Sequence, residues 1–228
     1  MKKILIGLMI ILGGAIVANA QKLYKPHFHI GAKAGLSMSS MAFTPEVEQG
    51  MTSGMIGGIT FRYAEERHVG LIAEINIVER GWKEEFEDGE PFEYSRKLTY
   101  IQLPLLTHIF FGKKRFKGFI NLGPEISFMV KDSYTANFDP KNIALIPDFP
   151  TENRMIEQLS MDVAKKFDYG ITGGVGVEFL ANRKNSVSLE ARYYFGLGNI
   201  FPSSKKDVFD ASRNTSIMLT LGYHYRIK

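Results

Sequence analysis

The chain has 228 residues, 45% of them apolar and 12% aromatic, with 22 glycines, no cysteine and a formal net charge of +4. The lack of cysteine excludes a disulfide-held exported scaffold, and the near balance of charge gives no reason to expect a nucleic-acid partner. Beyond the first twenty residues no apolar run is long enough for a membrane-spanning helix, and the length suits one all-β domain.

At the N-terminus Lys2 and Lys3 precede an apolar run from Ile4 to Val17, followed by Ala18-Asn19-Ala20. A positive start, a short apolar stretch and a small-x-small site make a secretory signal peptide, with cleavage expected after Ala20. The run falls short of the ~20 residues of a spanning helix. Gln21 stands where a lipoprotein would carry cysteine. The expected organisation is a signal peptide over 1–20 and a folded domain over 21–228, with a mature charge of about +2 once both leader lysines are gone.

From Phe28 the chain alternates with period two, the signature of strands with two unlike faces. Phe28, Ile30, Ala32, Ala34, Leu36 and Met38 share one face, with Lys33 among the residues of the other. "MIGGITFRY" sets Met55, Ile59, Phe61 and Tyr63 against Thr60 and Arg62. "HVGLIAEINIVER" sets Leu71, Ala73, Ile75 and Ile77 against Glu74 and Asn76, with Arg80 further on. "YIQLPLLTHIF", "FINLGPEISFMV", "FDYGITGGVGVEF" and "SVSLEARYYFG" repeat the pattern and place Gln102, His108, Glu125, Asp168, Glu178, Glu190 and Arg192 on the polar side. "SIMLTLGYHYRIK" closes the series, with Leu219 and Leu221 opposite Thr220 and His224. Each segment runs ten residues or so, matching the ~9–11 of a tilted strand crossing a bilayer better than the ~5–6 of a soluble strand.

The connections alternate in length. Long ones are expected at about 40–53, 82–94, 131–165 and 199–213, and short ones at "AEER", "GKKR" and "ANRKN". Outer-membrane barrels have short periplasmic turns and long external loops. Phe28, Phe61, Tyr63, Phe110, Phe111, Phe116, Phe179, Tyr223 and Tyr225 fall at the strand ends beside the short turns, as a periplasmic aromatic girdle would. The predicted fold is an all-β, eight-stranded antiparallel up-and-down transmembrane β-barrel, its apolar strings turned to lipid.

The polar strings then line the lumen. Lys33, Arg62 and Arg192 share it with Glu74, Glu125, Glu178 and Glu190. Eight strands leave an interior just wide enough for side chains to fill, and unpaired buried charge is costly, so these seven residues are expected to form a structural charge cluster that plugs the barrel. No catalytic residue is expected: His29, His68, His108 and His224 lie near no serine in a recognisable motif, and no G-x-S-x-G occurs. His27 and His29 make one i,i+2 pair, too little for a metal site. The glycines of "GGVGVE" lie within a strand pattern, where they mark close packing and curvature rather than a phosphate loop. No cofactor is expected.

The segment 131–165 is the longest connection. Met155, Ile156, Leu159 and Val163 stand near helical spacing there, and long structured loops are usually functional, so a partner surface is expected chiefly in this loop.

"HIGAKAGLSMS", "GLIAEINIVERGW", "LTYIQLPLLTHIFFGKKRFKGFINLGPEISFMV", "FDYGITGGVGVEF" and "ARYYFGLGNI" together resemble the PorT-like family of small outer-membrane β-barrel proteins of Bacteroidetes type, over nearly all of the mature chain. Tyr100 to Leu106, the Tyr-Ile-Gln-Leu-Pro-Leu-Leu run, is the most specific part. The resemblance implies a strand despite Pro104, with a local bulge there, no catalytic residues and an outer-membrane location. Its name-giving member belongs to a protein-secretion apparatus. The expected function is a non-enzymatic outer-membrane barrel in contact with outer-membrane lipid and with an envelope or secretion-system protein. The alternatives are a lipid-modifying enzyme of the outer membrane, which a Ser–His pair at the lipid boundary would favour, and a small-solute porin, which an open lumen would favour.

Overall fold

The computed structural model describes residues 26–64, 68–87, 89–113, 115–151 and 154–227; the expected signal peptide lies outside them. The strands are β1 (His27–Thr44), β2 (Gln49–Gly50), β3 (Thr52–Ala64), β4 (Val69–Glu84), β5 (Tyr94–Lys113), β6 (Phe116–Ala136), β7 (Phe167–Leu180), β8 (Asn185–Gly196) and β9 (Ala211–Arg226). β2 is a two-residue stub that pairs with β4 ahead of β3. The other eight form an antiparallel ring in chain order, closed where β1 pairs with both β3 and β9. Closure satisfies the ladder on both sides of every strand, which hydrocarbon demands.

The apolar strings point outward. Leu219 is 52% and Leu221 61% exposed, whereas Thr220 between them is buried. On β1 the outward apolar face runs from Phe28 to Met38, about ten steps of ~3.3 Å, which at a 35–45° tilt gives the ~25 Å apolar band of an outer-membrane barrel. Register aligns its upper edge around the ring: Met38 opposes Ile217, Ile77 opposes Ile101, and Phe128 opposes both Ile101 and Phe167. Above that line the outward positions become polar. The Ser40 and Thr215 hydroxyls lie 3.0 Å apart, and Lys97 sits 3.6 Å from Glu79.

This explains why the strands outrun the sequence reading. The ladders continue past the bilayer and absorb 40–44, 82–84 and 131–136, expected as loop. Backbone pairing there no longer requires an apolar exterior, so alternation fades while the strand persists. The helix expected near Met155–Val163 is a single turn, α1 (Glu157–Ser160), preceded by a 3₁₀ turn over Ile143–Leu145.

Two expectations are corrected. Phe110 is buried, packed with Ala64 and Phe119 inside the barrel rather than in the girdle, because it has the inward parity of His108. The bulge is not at Pro104. There the β4–β5 ladder omits the pairs between Ala73↔Leu105 and Asn76↔Gln102 and resumes in the same register, so the missing N–H interrupts the ladder without inserting a residue. The register shift lies instead between Thr99 and Tyr100, against β6. One extra residue reverses strand parity, so beyond it Asp132 turns inward to Arg96.

Candidate functional site

The interior is built in layers. In the middle layer β4 places Glu74 between cations from β1 and β8: Lys33 Nζ is 2.6 Å from its Oε2, and Arg192 donates to both its oxygens at 2.8 and 3.1 Å. Arg192 also donates to Glu190 Oε2 at 2.8 Å, and Asn121 Nδ2 donates to Glu190 Oε1 at 2.7 Å. Asn76 ties Glu74 to Gln102, at 3.0 Å each way. Nearer the short turns, Arg62 and Ser186 donate to Glu178 Oε1 at 2.9 and 2.6 Å. Nearer the long loops, Arg80 donates to Glu125 Oε1 at 2.6 Å and lies 3.9 Å from Asp168, its guanidinium 3.8 Å over the Tyr194 ring.

All seven residues of the expected cluster therefore point into the lumen and are buried, and each lies within ion-pair distance of an opposite charge. The structure brings Lys33, Glu74, Glu190 and Arg192 into one group and holds Arg62 with Glu178 and Glu125 with Arg80 as separate pairs. Arg80 was outside the expected set. It shares strand parity with Glu74, and the excess of four carboxylates over three cations was the signal that could have found it.

Two glycines make room for this packing. A Cβ on Gly174 would stand 2.9 Å from Glu190 Oε1, and one on Gly31 would stand 2.5 Å from His224 Nδ1. His224, whose sequence neighbourhood held no serine motif, meets Ser188 of β8: Ser188 Oγ is 2.9 Å from Nε2, and Thr60 Oγ1 is 3.2 Å from Nδ1. Arg62 Nη2, which can only donate, lies 3.3 Å from the same Nε2 and so fixes it as an acceptor. The pair is inside the barrel, not at the lipid boundary. The pocket it shares with Lys33, Arg62, Glu74 and Glu190 is about 10 Å³, room for one water.

Above the charged layers the interior becomes apolar. Trp82, Leu98, Tyr100, Tyr194, Phe201, Phe209 and Met218 are fully buried at the long-loop end, joined by Ile143, Phe149, Leu159 and Val163 of the loop between β6 and β7. That loop is folded into the mouth and bonded to the wall. Glu84 accepts from Trp82 Nε1, Gln158 Nε2 and Arg154 Nη2 at 2.9, 3.1 and 3.2 Å. Arg96 grips Asp132 through two bonds and donates to Met161 O at 2.6 Å, and Tyr94 OH donates to Leu159 O at 3.1 Å. Burial pushes the Glu84 carboxyl above its ordinary value despite these donors. The part of 131–165 expected as loop surface thus carries an inward face that seals the barrel.

Solved structures with similar chains include Neisserial surface protein A, at 10% identity and a TM-score of 0.47 over 89% of this chain and 99% of that one. OprG from Pseudomonas aeruginosa matches at 12% identity and a TM-score of 0.49, over 87% and 95%. Outer Membrane Protein W of E. coli matches at 16% identity and a TM-score of 0.42, over 89% and 99%. No curated protein matches the chain. The model of the outer membrane protein beta-barrel domain matches residues 19–202, most of the chain and seven of the eight strands that close the ring. A closed antiparallel ring, an apolar exterior one bilayer deep, a polar interior and this match lead to one conclusion: the chain belongs to the outer membrane protein beta-barrel domain family and resides in the outer membrane.

Proposed function

We propose that the protein acts without catalysis, as a plugged barrel whose external loops, chiefly 131–165, engage another envelope protein in envelope biogenesis or protein secretion, the role implied by its resemblance to PorT-like proteins. The observation that carries this reading is the attachment of the loop to the wall through Glu84, Tyr94 and Arg96. A loop fixed from beneath presents a preorganised outer face, which lowers the entropic cost of binding. The paired lumen charges favour a plug over a solute path. The space beside Ser188 and His224, large enough for one water, leaves no room for an acyl ester. Export through a signal peptide removed after Ala20 belongs to the same proposal, and a mature N-terminus at Gln21 is the expected result of N-terminal sequencing.

The test is a pull-down from outer-membrane fractions with the loop intact and with residues 138–162 deleted. An envelope protein should co-purify with the intact chain and be lost on deletion, while the barrel still migrates as a folded species. Steady single-channel conductance by the intact protein, or phospholipid deacylation abolished by Ser188→Ala, would instead establish a porin or an enzyme.

A further inference from the structure

The short-turn end of the barrel carries a feature that neither the plug nor the loops use. A pocket of about 50 Å³ opens there on the barrel axis, between the start of β1, the end of β9 and the β7–β8 turn. Arg62, Lys117, Arg183, Lys184 and Arg226 line it, with Glu178 as the one carboxylate among the described lining residues. Arg62 is nearly fully buried, and its Nη1 is held by Glu178. Its Nε and the Nδ1 of His29, which also lines the pocket, are buried and have no hydrogen-bond partner. A buried guanidinium N–H normally has an acceptor, and His29 Nδ1 is a second donor in its Nδ1–H tautomer.

We propose that this mouth is a binding site for a phosphate group. Among the described lining residues Arg62, Lys117, Arg183 and Lys184 alone outnumber the carboxylate Glu178, which suits an anion of more than one charge, and a phosphate monoester carries about −1.5 to −2 at neutral pH. Its oxygens accept from arginine and lysine in charge-assisted bonds and would satisfy Arg62 Nε and His29 Nδ1. The volume is adequate, since one water needs only ~10–15 Å³ of such space. The position agrees. Phe111, Phe116, Phe179 and Tyr225 face outward at the same end of the barrel, the depth at which aromatic girdles meet lipid headgroups. The phosphate can therefore come from a monoester headgroup of the periplasmic leaflet, as in phosphatidic acid, or from a soluble phosphate monoester of the periplasm.

The experiment is calorimetric titration of inorganic phosphate into the purified barrel in an uncharged detergent and chloride buffer. Saturable binding is expected. It should weaken by about tenfold for each charge-assisted contact removed in the triple variant Lys117→Gln/Arg183→Gln/Lys184→Gln. Those side chains lie at the rim, and heat-modifiable migration verifies that the variant is folded. Lys205→Gln/Lys206→Gln, on the external loop between β8 and β9, should bind as the parent does. In vesicles, loss of phosphate binding when phosphatidic acid, whose headgroup is a phosphate monoester, replaces phosphatidylcholine assigns the site to a lipid headgroup, and equal binding in both assigns it to a soluble phosphate. Heat exchange that acetate or added chloride reproduces, or a triple variant that binds as the parent does, would overturn the site.

Discussion

Glu74 shows how the barrel interior tolerates charge. It lies on β4 at the depth of the membrane, where an isolated carboxylate would be prohibitive, yet two cations from different strands converge on it. Such a group stabilises less by attraction than by leaving no charge uncompensated. Glu74→Ala should therefore cost about 3–5 kcal/mol, because Lys33 and Arg192 remain buried with half their counter-charge. Urea unfolding of the detergent-solubilised barrel measures this, and a cost below ~1 kcal/mol would mean that water enters the lumen freely. The lumen glycines follow the same logic. Gly31 lies against His224 and Thr60 so closely that any side chain must displace one of them.

At the scale of elements, β9 offers the sharpest test of which face meets lipid. Arginine on the lipid face near mid-bilayer costs about 2–4 kcal/mol, so Leu221→Arg should impair assembly in vesicles. Leu219→Phe should be nearly neutral, since lipid has no fixed shape to violate, whereas added volume in a close-packed core costs ~1–3 kcal/mol. Equal damage from the two substitutions would place this face against protein. The loop closure is an element-scale property as well. Glu84 lies beyond the bilayer, and burial raises its pKa above the ordinary 4.5. The folded state then holds the proton more tightly than the unfolded chain. Closure gains stability as pH falls through the raised value, and the gain is complete below about 4.5. Protease protection of residues 137–166 should thus increase on acidification from neutral pH, and Glu84→Gln, which cannot titrate, should flatten that response. Weaker protection at acid pH would show that the Arg154 ion pair outweighs burial.

For the molecule as a whole the decisive property is closure. Each of the eight strands is paired on both sides, the first with the last over His29↔Arg226 to Thr44↔Ala211, so unfolding has no free edge from which to start. The protein should remain folded in cold detergent and migrate faster on gels before boiling than after, and it should fractionate with the outer membrane. A single boiling-independent band, with recovery in the soluble periplasm, would contradict the barrel. The molecule also has two unlike ends. Short turns surround a basic mouth, and long loops fold inward over an aromatic core.

The sequence by itself determined the number of membrane strands, their faces and their direction. Period-two alternation is a local property, and a bilayer demands it continuously over ten residues, so Phe28–Met38 or Ile217–Tyr225 could be read without knowing any neighbour. Burial of Lys33, Arg62, Glu74, Glu125, Glu178, Glu190 and Arg192 followed from the same parity. Pairing did not, because Arg80 and Glu125 lie on strands separated by β5 and meet only once the sheet curls into the ring, and Ser188 and His224, on neighbouring strands, meet only once register is set. The ends of the strands were hidden too, since above the bilayer no apolar face is required and the alternation that marks a strand disappears. The register shift at Thr99/Tyr100, which carries Asp132 to Arg96, and the inward folding of the loop between β6 and β7 were decided by tertiary packing alone. Both depend on which side chains fill the space inside the mouth, and that space exists only in the closed barrel.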